Sequence, residues 1–354
     1  MSGKVLRLVC TAAAAAGCVL APLPATAAPA PGPDGRSVAE QLMDLQQLYR
    51  QAEQATETYD ATAEKLRKQR AEVARLDGAL TKARLSLQDS RGAAGRLARQ
   101  QYQSSTDISP YVRLLLARDP QQALDQGHVV GRLARERAET VGRLTGTEKK
   151  ADALARAARK ALDRQLSLAA RQKKDRDDVQ RRLKKVEELL ASLTPEQIAA
   201  LGELEKSGVD TAQRKLVDAG VLDDGRPASP EGDRAVRYAV RQLGKPYRWG
   251  AQGPASYDCS GLTSQAWDRA GTAIPRTSQE QWARLPKVPL GQLRPGDLVV
   301  YFPEATHVAM YLGRGMVIQA PRTGEKIKVS PLASYPILGA VRPDERPEGA
   351  PDAV

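Results

Sequence analysis

Apolar positions along the chain fall into two regimes that meet near residue 194. In the first, Leu66, Val73, Leu76, Leu80, Leu87, Ala94 and Leu97 follow one another at intervals of seven, three, four, seven, seven and three, which keeps a single seam on one side of a helix. Val179, Leu183, Val186, Leu190 and Leu193 repeat the pattern. Between the two runs, "YQSSTDISPYVRLLLARDPQQALDQ" (102–126) breaks the period and holds Pro110 and Pro120, the only prolines from Ser37 to Leu193. The pattern predicts an all-α antiparallel coiled-coil hairpin over 37–193, with short helices at its tip. Its seam is rich in Ala and partly polar, so the pairing is expected to be loose.

Residues 194–232 read as a connector: Thr194-Pro195 can start a helix, and "DDGRPASPEG" (223–232) is turn-like. Beyond it the period changes. "RAVRYAVRQLG" reads as a helix ending at Gly244, and "CSGLTSQAWDRAG" as another stopped by Gly271. "DLVVYF" (297–302), "HVAMYLG" (307–313), "GMVIQA" (315–320) and "KIKVSPL" (326–332) read as short strands, with "GAVRP" (339–343) as a last edge strand. Helices followed by strands, without alternation, predict an α+β domain over 233–343. The Pro- and acid-rich tail, 344–354, is expected to be disordered.

The start of the chain has a different character again. Lys4 and Arg7 precede the uncharged run "LVCTAAAAAGCVLA" (8–21), and Ala25-Thr26-Ala27 supplies a small-residue cleavage pattern. This is the layout of a secretory signal peptide over 1–27, cleaved near Ala27. "Ala-Ala-Gly-Cys" ending at Cys18 is similar to a lipoprotein signal, but Ala15 stands where Leu is usual, which favours cleavage over a lipid anchor. A secreted protein associated with the cell wall is expected. The net charge of +12 calls for anionic partners, with wall polymers or lipid headgroups ahead of nucleic acid. No nucleic-acid motif is visible, and aromatics are only 4% of the residues. The bland alternative is that Lys and Arg decorate long solvated helices.

Cleavage at Ala27 removes Cys10 and Cys18 and leaves Cys259 as the only thiol. A lone cysteine in a secreted protein is an intermolecular bridge, a buried inert thiol or a reactive one. Asp258 is a good N-cap, which places Cys259 at the first position of its helix, where backbone N–H groups favour a thiolate. A cysteine nucleophile is commonly activated by histidine. Of the two histidines, His128 lies near the hairpin tip, where a solvated helix residue is the default reading, and His307 opens a strand in the same domain as Cys259. Gln319, on the next strand, can accept a hydrogen bond from the imidazole and turn its other nitrogen towards sulfur. Each has a structural alternative: a packed cysteine, a satisfied strand-end histidine, a polar strand residue. No metal or cofactor is expected.

"GKPYRWG" (244–250), "DCSGL" (258–262), "IPRTSQEQ" (274–281), "LRPGDLVVY" (293–301), "HVAMYLG" (307–313) and the strand through Gln319 together resemble the NlpC-type cell-wall cysteine peptidases, a compact papain-like family. The resemblance covers about 232–342. More weakly, the hairpin resembles the coiled coils that precede such domains in secreted Gram-positive peptidoglycan hydrolases. The resemblance implies Cys259 as nucleophile, His307 as base and Gln319 as the variable third residue. It implies Tyr247 and the Cys259 N–H as oxyanion donors, substrate contacts from Asp258 and Ser260, and cleft positions for Arg276 and Ser278. The family often reads W-G-G where this chain has Trp249-Gly250-Ala251; a positive φ at Ala251 would cost about 1 kcal/mol.

The implied activity is endopeptidase cleavage of peptidoglycan stem peptides, often between D-glutamate and the diamino acid. Residues 231–343 carry fifteen Lys or Arg against eight Asp or Glu, a surplus of seven that suits an acidic substrate. The rival is a catalytically silent wall-binding or scaffold protein whose arm docks a membrane divisome complex, and acyl transfer is a third outcome of the same thiol chemistry. By analogy the arm can fold over the cleft and regulate it.

Overall fold

The structure, a computed structural model, describes residues 37–104, 112, 115–116, 119–220 and 225–345. The expected signal peptide with Cys10 and Cys18, most of the expected tip, and the tail from 346 lie outside the described residues. Two long helices dominate the N-terminal half, α1 (Val38–Ser104) and α2 (Pro120–Ser192). The chain divides into two compact units, residues 65–170 and residues 1–64 with 171–354. The stretch expected as one hairpin, 37–193, is therefore shared: residues 37–64 and 171–193 group with the C-terminal domain.

Within residues 65–170, α1 and α2 run antiparallel. Leu76 and Leu80 pack on Ala158 and Ala161, and Gln69 Nε2 donates to the Ala161 carbonyl (2.9 Å). Small alanines facing leucines bring the helices close but bury little apolar area per turn, as the Ala-rich seam predicts.

In the second unit the same two helices pair through Leu45, Val186 and Leu190, and Thr62 Oγ1 donates to Asp175 Oδ2 (2.7 Å). The expected connector is largely one helix, α3 (Pro195–Asp218), started by a capping box in which Thr194 and Gln197 satisfy each other's backbone N–H groups. It is pinned to the C-terminal domain: Gln213 donates to the Gly315 carbonyl (2.9 Å) and accepts from the Ala333 N–H (3.0 Å), and Arg322 pairs with Glu205.

The C-terminal domain starts before the expected Asp233. Ser229 caps α4 (Pro230–Val240) by accepting from the Gly232 N–H, and its hydroxyl bonds Asp344, which also pairs with Arg294. Asp344 thus belongs to the domain and not to a disordered tail. Two further helices follow, α5 (Cys259–Ala270) and α6 (Ser278–Arg284). The sheet comprises β1 (Lys287–Val288), β2 (Leu298–Tyr301), β3 (His307–Gly313), β4 (Met316–Gln319), β5 (Lys328–Pro331) and β6 (Ile337–Val341), in the order β1-β6-β2-β3-β4-β5. The segment expected as a last edge strand is interior, because β6 pairs with β2 on one side and β1 on the other.

Alternate residues of β2 face opposite cores. Leu298 and Val300 join Val308, Met310, Ile318 and the helix residues Ala235, Leu262, Ala266 and Trp267. Val299 and Tyr301 join Ala309, Tyr311, Val317, Leu293 and Leu332. Burial on both faces explains why β2 reads as an unbroken apolar run. All residues of both cores lie between 235 and 341, so the segment 225–345 carries a complete core of its own.

Candidate active site

Cys259 is the first residue of α5, as its N-cap predicts. The Asp258 carboxylate accepts from the Gly261 N–H (2.6 Å), and the backbone Asp258 N–H donates to the Ala251 carbonyl (3.0 Å). Gly261 is required by close approach: a Cβ there would lie 2.2 Å from the Ala251 oxygen. The positive φ in this loop falls on Gly250 (+73°) and not on Ala251, so departure from W-G-G carries no backbone strain.

The Cys259 side chain meets the start of β3, where the Val308 backbone N–H donates to the sulfur. His307, the preceding residue, is fully buried; Tyr335 lies edge-on to its ring at 5.1 Å between centroids. His307 Nε2 is 2.7 Å from Gln319 Oε1. An amide oxygen only accepts, so Nε2 carries a proton and Nδ1 is the nitrogen left for chemistry. Tyr247 is buried in the core that contains Cys259, and burial is the main cause that raises its hydroxyl well above its usual range. Cys259 thus meets the backbone of the residue that follows His307, His307 is held by Gln319, and Tyr247 shares the core of Cys259.

Asp258, Ser260, Arg276 and Ser278 form an adjoining polar cluster. Arg276 reaches both Asp258 oxygens, Nη1 to Oδ1 at 3.1 Å and Nη2 to Oδ2 at 2.5 Å, and Nη1 also donates to Ser260 Oγ (2.9 Å). Ser278 Oγ donates to the Ala305 carbonyl (2.6 Å), leaving its backbone N–H facing the cleft. Below them Gln281 ties Thr263 to the Pro275 and Ser260 carbonyls.

About two turns of α1 lie in this site, and the sequence reading missed them. Glu57 is buried, with Oε1 accepting from Ser260 Oγ (3.0 Å) and lying 3.8 Å from Cys259 Sγ, while Oε2 accepts from the Ser278 N–H (2.8 Å). Glu53 Oε1 is 3.4 Å from His307 Nδ1, an ion-pair distance without hydrogen-bond geometry. Asp60 Oδ2 is 3.3 Å from Arg276 Nη2. Tyr59 packs edge-on against Trp249 at 5.1 Å, above Gly250, where an added Cβ would come within 3.3 Å of the Tyr59 ring. The available signal was the spacing: residues 53, 57 and 60 share one helix face, and in "EQATETYD" (53–60) that face is acidic where the hairpin pattern wants apolar.

These carboxylates reverse the expected electrostatics. Burial, then Glu57, Asp258 and Glu53, push the Cys259 thiol well above its usual range, against the opposing effect of the Val308 N–H. The expected low thiol pKa at a helix N-terminus does not hold in this closed state. Burial opposes charging of His307, but the Glu53 carboxylate, the Gln319 acceptor and Glu57 together outweigh it and raise the imidazole. Glu57 itself is pushed up to about 7 by burial and the neighbouring Asp258, and Asp60 is raised by the same causes. Cys259 is held as a neutral thiol, and Glu53 faces the His307 imidazole. Among the described residues no group of three or more His, Cys, Asp or Glu is placed to hold a metal ion.

A family model described as the NlpC/P60 family matches residues 244–338. A protein named "Probable endopeptidase" from Corynebacterium glutamicum (strain R) is 39% identical over 140 residues, covering 39% of this chain and 66% of its own. "Peptidoglycan endopeptidase RipA" from Mycolicibacterium smegmatis is 40% identical over 119 residues, covering 28% of this chain and 24% of its own. Among solved structures, the P60 domain of an antigen from M. avium subspecies paratuberculosis is 33% identical, with 32% of this chain and 98% of that chain covered and a TM-score of 0.30. The chain thus spans just under two thirds of the corynebacterial relative and about a quarter of the mycobacterial one.

Proposed function

With residues 244–338 an NlpC/P60 domain, we propose that this chain is a secreted, wall-associated cysteine endopeptidase that cleaves amide bonds in peptidoglycan stem peptides and is held closed by its own helix α1. The observation that carries the reading is the convergence of Cys259, the Val308 N–H, His307 and Gln319, a thiol beside an imidazole whose far nitrogen is fixed by an acceptor. The relatives named endopeptidases support hydrolysis over acyl transfer, and the intact set supports an enzyme over a silent binding domain.

The chemistry runs as follows once α1 has left. His307 Nδ1 takes the thiol proton, and the sulfur attacks the carbonyl carbon of the scissile amide. The oxyanion is held by the Cys259 N–H and the Tyr247 hydroxyl. His307 returns the proton to the amine as the C–N bond breaks. It then deprotonates a water that attacks the thioester carbon; the C–S bond breaks and the sulfur takes up a proton. The acidic substrate is drawn by the domain's basic surplus, and the bond from D-glutamate to the diamino acid is the assigned target. Secretion rests on the basic head, apolar run and A-x-A end of residues 1–27. Opening is assigned to a partner that engages the long helices, either anionic wall polymer or a membrane complex.

The test is mass spectrometry of purified muropeptides incubated with residues 225–354 and with the same fragment carrying Cys259→Ala. Fragments that depend on Cys259 are expected and name the bond by mass. Unchanged cleavage by Cys259→Ala would sink the reading.

A further inference from the structure

Charge is divided unevenly between the two units. Residues 65–170 hold twenty-two Lys or Arg against eleven Asp or Glu, a surplus of eleven. The rest of the chain holds thirty-two against thirty-one, so this arm carries nearly all of the net +12. Charge that only keeps helices in water is served by both signs interspersed in similar number, as in the other unit. The surplus is spread along the arm and around it. α1 contributes residues 65–104, about 60 Å at 1.5 Å per residue. At about 100° per residue, Lys82 and Arg96 point away from the seam of Leu76 and Leu80, while Arg84 and Arg91 flank it. On α2, Lys149 and Lys160 point away from Ala158 and Ala161. All six are exposed. The acids nearest them are already paired, Glu148 with Arg91 (3.6 Å) and Asp152 with Arg156.

A second pattern accompanies the charge. Of the seven glycines in the arm, Gly78, Gly92, Gly95, Gly131 and Gly146 each stand four residues before a Lys or Arg. Helix side chains lean towards the N-terminus, so the cation reaches back over a turn whose backbone is bare. A Cβ at Gly92, Gly95 or Gly131 would meet Nη1 of Arg96, Arg99 or Arg135 at 3.5, 3.7 and 3.6 Å. In an Ala-rich helix each such glycine costs about 1 kcal/mol against Ala. What it leaves is room beside a cation for an anion to approach.

We infer that residues 65–170 are a polyanion-binding arm whose ligand is a linear polymer of repeated phosphodiesters. The inference rests on the proposed function only for the wall as the place where that polymer is met, and it chooses between the two kinds of partner assigned there to the long helices. A single phosphate would use one or two of these cations. An extended polymer reaches many of them, and each contact frees condensed counterions. A bilayer is flat: it would face one side of the arm and leave the cations on the other sides unused. Helices that lie on membranes also set Trp, Phe or Leu into the acyl boundary opposite a basic face, and residues 65–170 contain no Trp and no Phe.

The test is calorimetric titration of the full chain with long-chain inorganic polyphosphate over a series of salt concentrations, beside the fragment 225–354, which carries both cores. In one variant of the full chain Lys82, Arg96, Lys149 and Lys160 are changed together to Gln. In a second, with the same change of charge, Arg248, Arg269, Arg314 and Lys326, exposed on the C-terminal domain, are changed together to Gln. The full chain is expected to bind about tenfold or more tighter than the fragment near physiological salt. The arm variant is expected to lose about tenfold or more in affinity, and its slope of log K against log salt to shrink by up to about three, at ~0.7 for each lost contact with a flexible strand. The domain variant is expected to stay within about twofold of the unaltered chain. Circular dichroism and thermal melts check that both variants fold. Equal binding by chain and fragment, equal losses in the two variants, or a salt slope unmoved in the arm variant overturns the arm. Tighter binding to phosphatidylglycerol vesicles than to polyphosphate at equal phosphate overturns the linear polymer in favour of a lipid surface. No binding to either overturns the inference outright. Binding is read with no peptide bond cut, so this inference and the endopeptidase reading fail separately.

Discussion

Gln319 holds His307 through an uncharged acceptor. Its amide oxygen fixes the ring and leaves Nδ1 for the sulfur, but it adds no charge to stabilise an imidazolium, so its contribution is orientation. In the fragment 225–354, Gln319→Ala is therefore expected to lower kcat about tenfold to a hundredfold, part of what a positioned base supplies, while KM stays within about twofold because no substrate contact is lost. A matching rise in KM would move Gln319 from positioning to substrate binding. At this scale much of the site was legible. Cys259 and His307 stand out because the domain contains no other thiol or imidazole, and Asp258 announces the helix start. The state of the thiol was not legible: a local rule, that helix N-termini lower cysteine pKa values, is overridden by burial first and then by Glu57, Asp258 and Glu53, two of them on α1, about two hundred residues away in sequence.

The stretch of α1 from Glu53 to Asp60 is where the hairpin pattern and the structure part company. A heptad reading looks for apolar seams and treats acids as solvated. Here three acids and Tyr59 are the docking face, and their partners are on other elements. This makes closure depend on pH, and the sign can be worked out. Glu57 is faced by Asp258, Cys259 and Ser260 on α5, by Arg276, and by Ser278 on α6, with Asp60 on its own helix; His307 on β3 is faced by Glu53. Glu57 has an ordinary value of 4.5 and is raised to about 7 when docked, so its contribution to closure is complete below 4.5 and is lost as pH rises through about 7. Asp60 is raised in the same way. His307 is raised above 6.5 when docked, so its pairing with Glu53 also fades as pH rises. All three act in one direction. The ratio of kcat/KM for the full chain to that for the fragment 225–354, measured from pH 5 to 8, is expected to climb; dividing by the fragment removes the titration of catalysis itself. A flat or falling ratio would show that these carboxylates do not control access.

At the scale of the chain, the reading of helices followed by an α+β domain survives, but its boundaries move because boundaries are set by tertiary partners. Ser229 looked like linker and is the cap of α4; Asp344 looked like tail and is tied to Ser229 and Arg294. The β6 strand looked like an edge because its composition says nothing about which strands flank it. These displacements bear directly on any separation of the catalytic domain. A fragment that starts at residue 232 loses the Ser229 cap and its tie to Asp344, and is expected to be less stable than one starting at 225 by about 1 kcal/mol, a melting temperature lower by roughly 4–8 °C. The longer fragment keeps both cores and lacks α1 altogether. On the proposed closure, only the fraction of full-length molecules with α1 undocked binds substrate, and apparent activity is expected to fall by that fraction. With Cys259 only 3% exposed and His307 fully buried, the full chain is expected to cleave muropeptides on the order of tenfold or more slowly than residues 225–354 at neutral pH. The check is to assay both proteins side by side after confirming equal folding of the domain by thermal melts. Equal rates would mean that α1 leaves the cleft faster than chemistry occurs and imposes no control; a full chain slowed tenfold and restored by replacing Glu53, Glu57 and Asp60 with Ala would place that control on the three carboxylates.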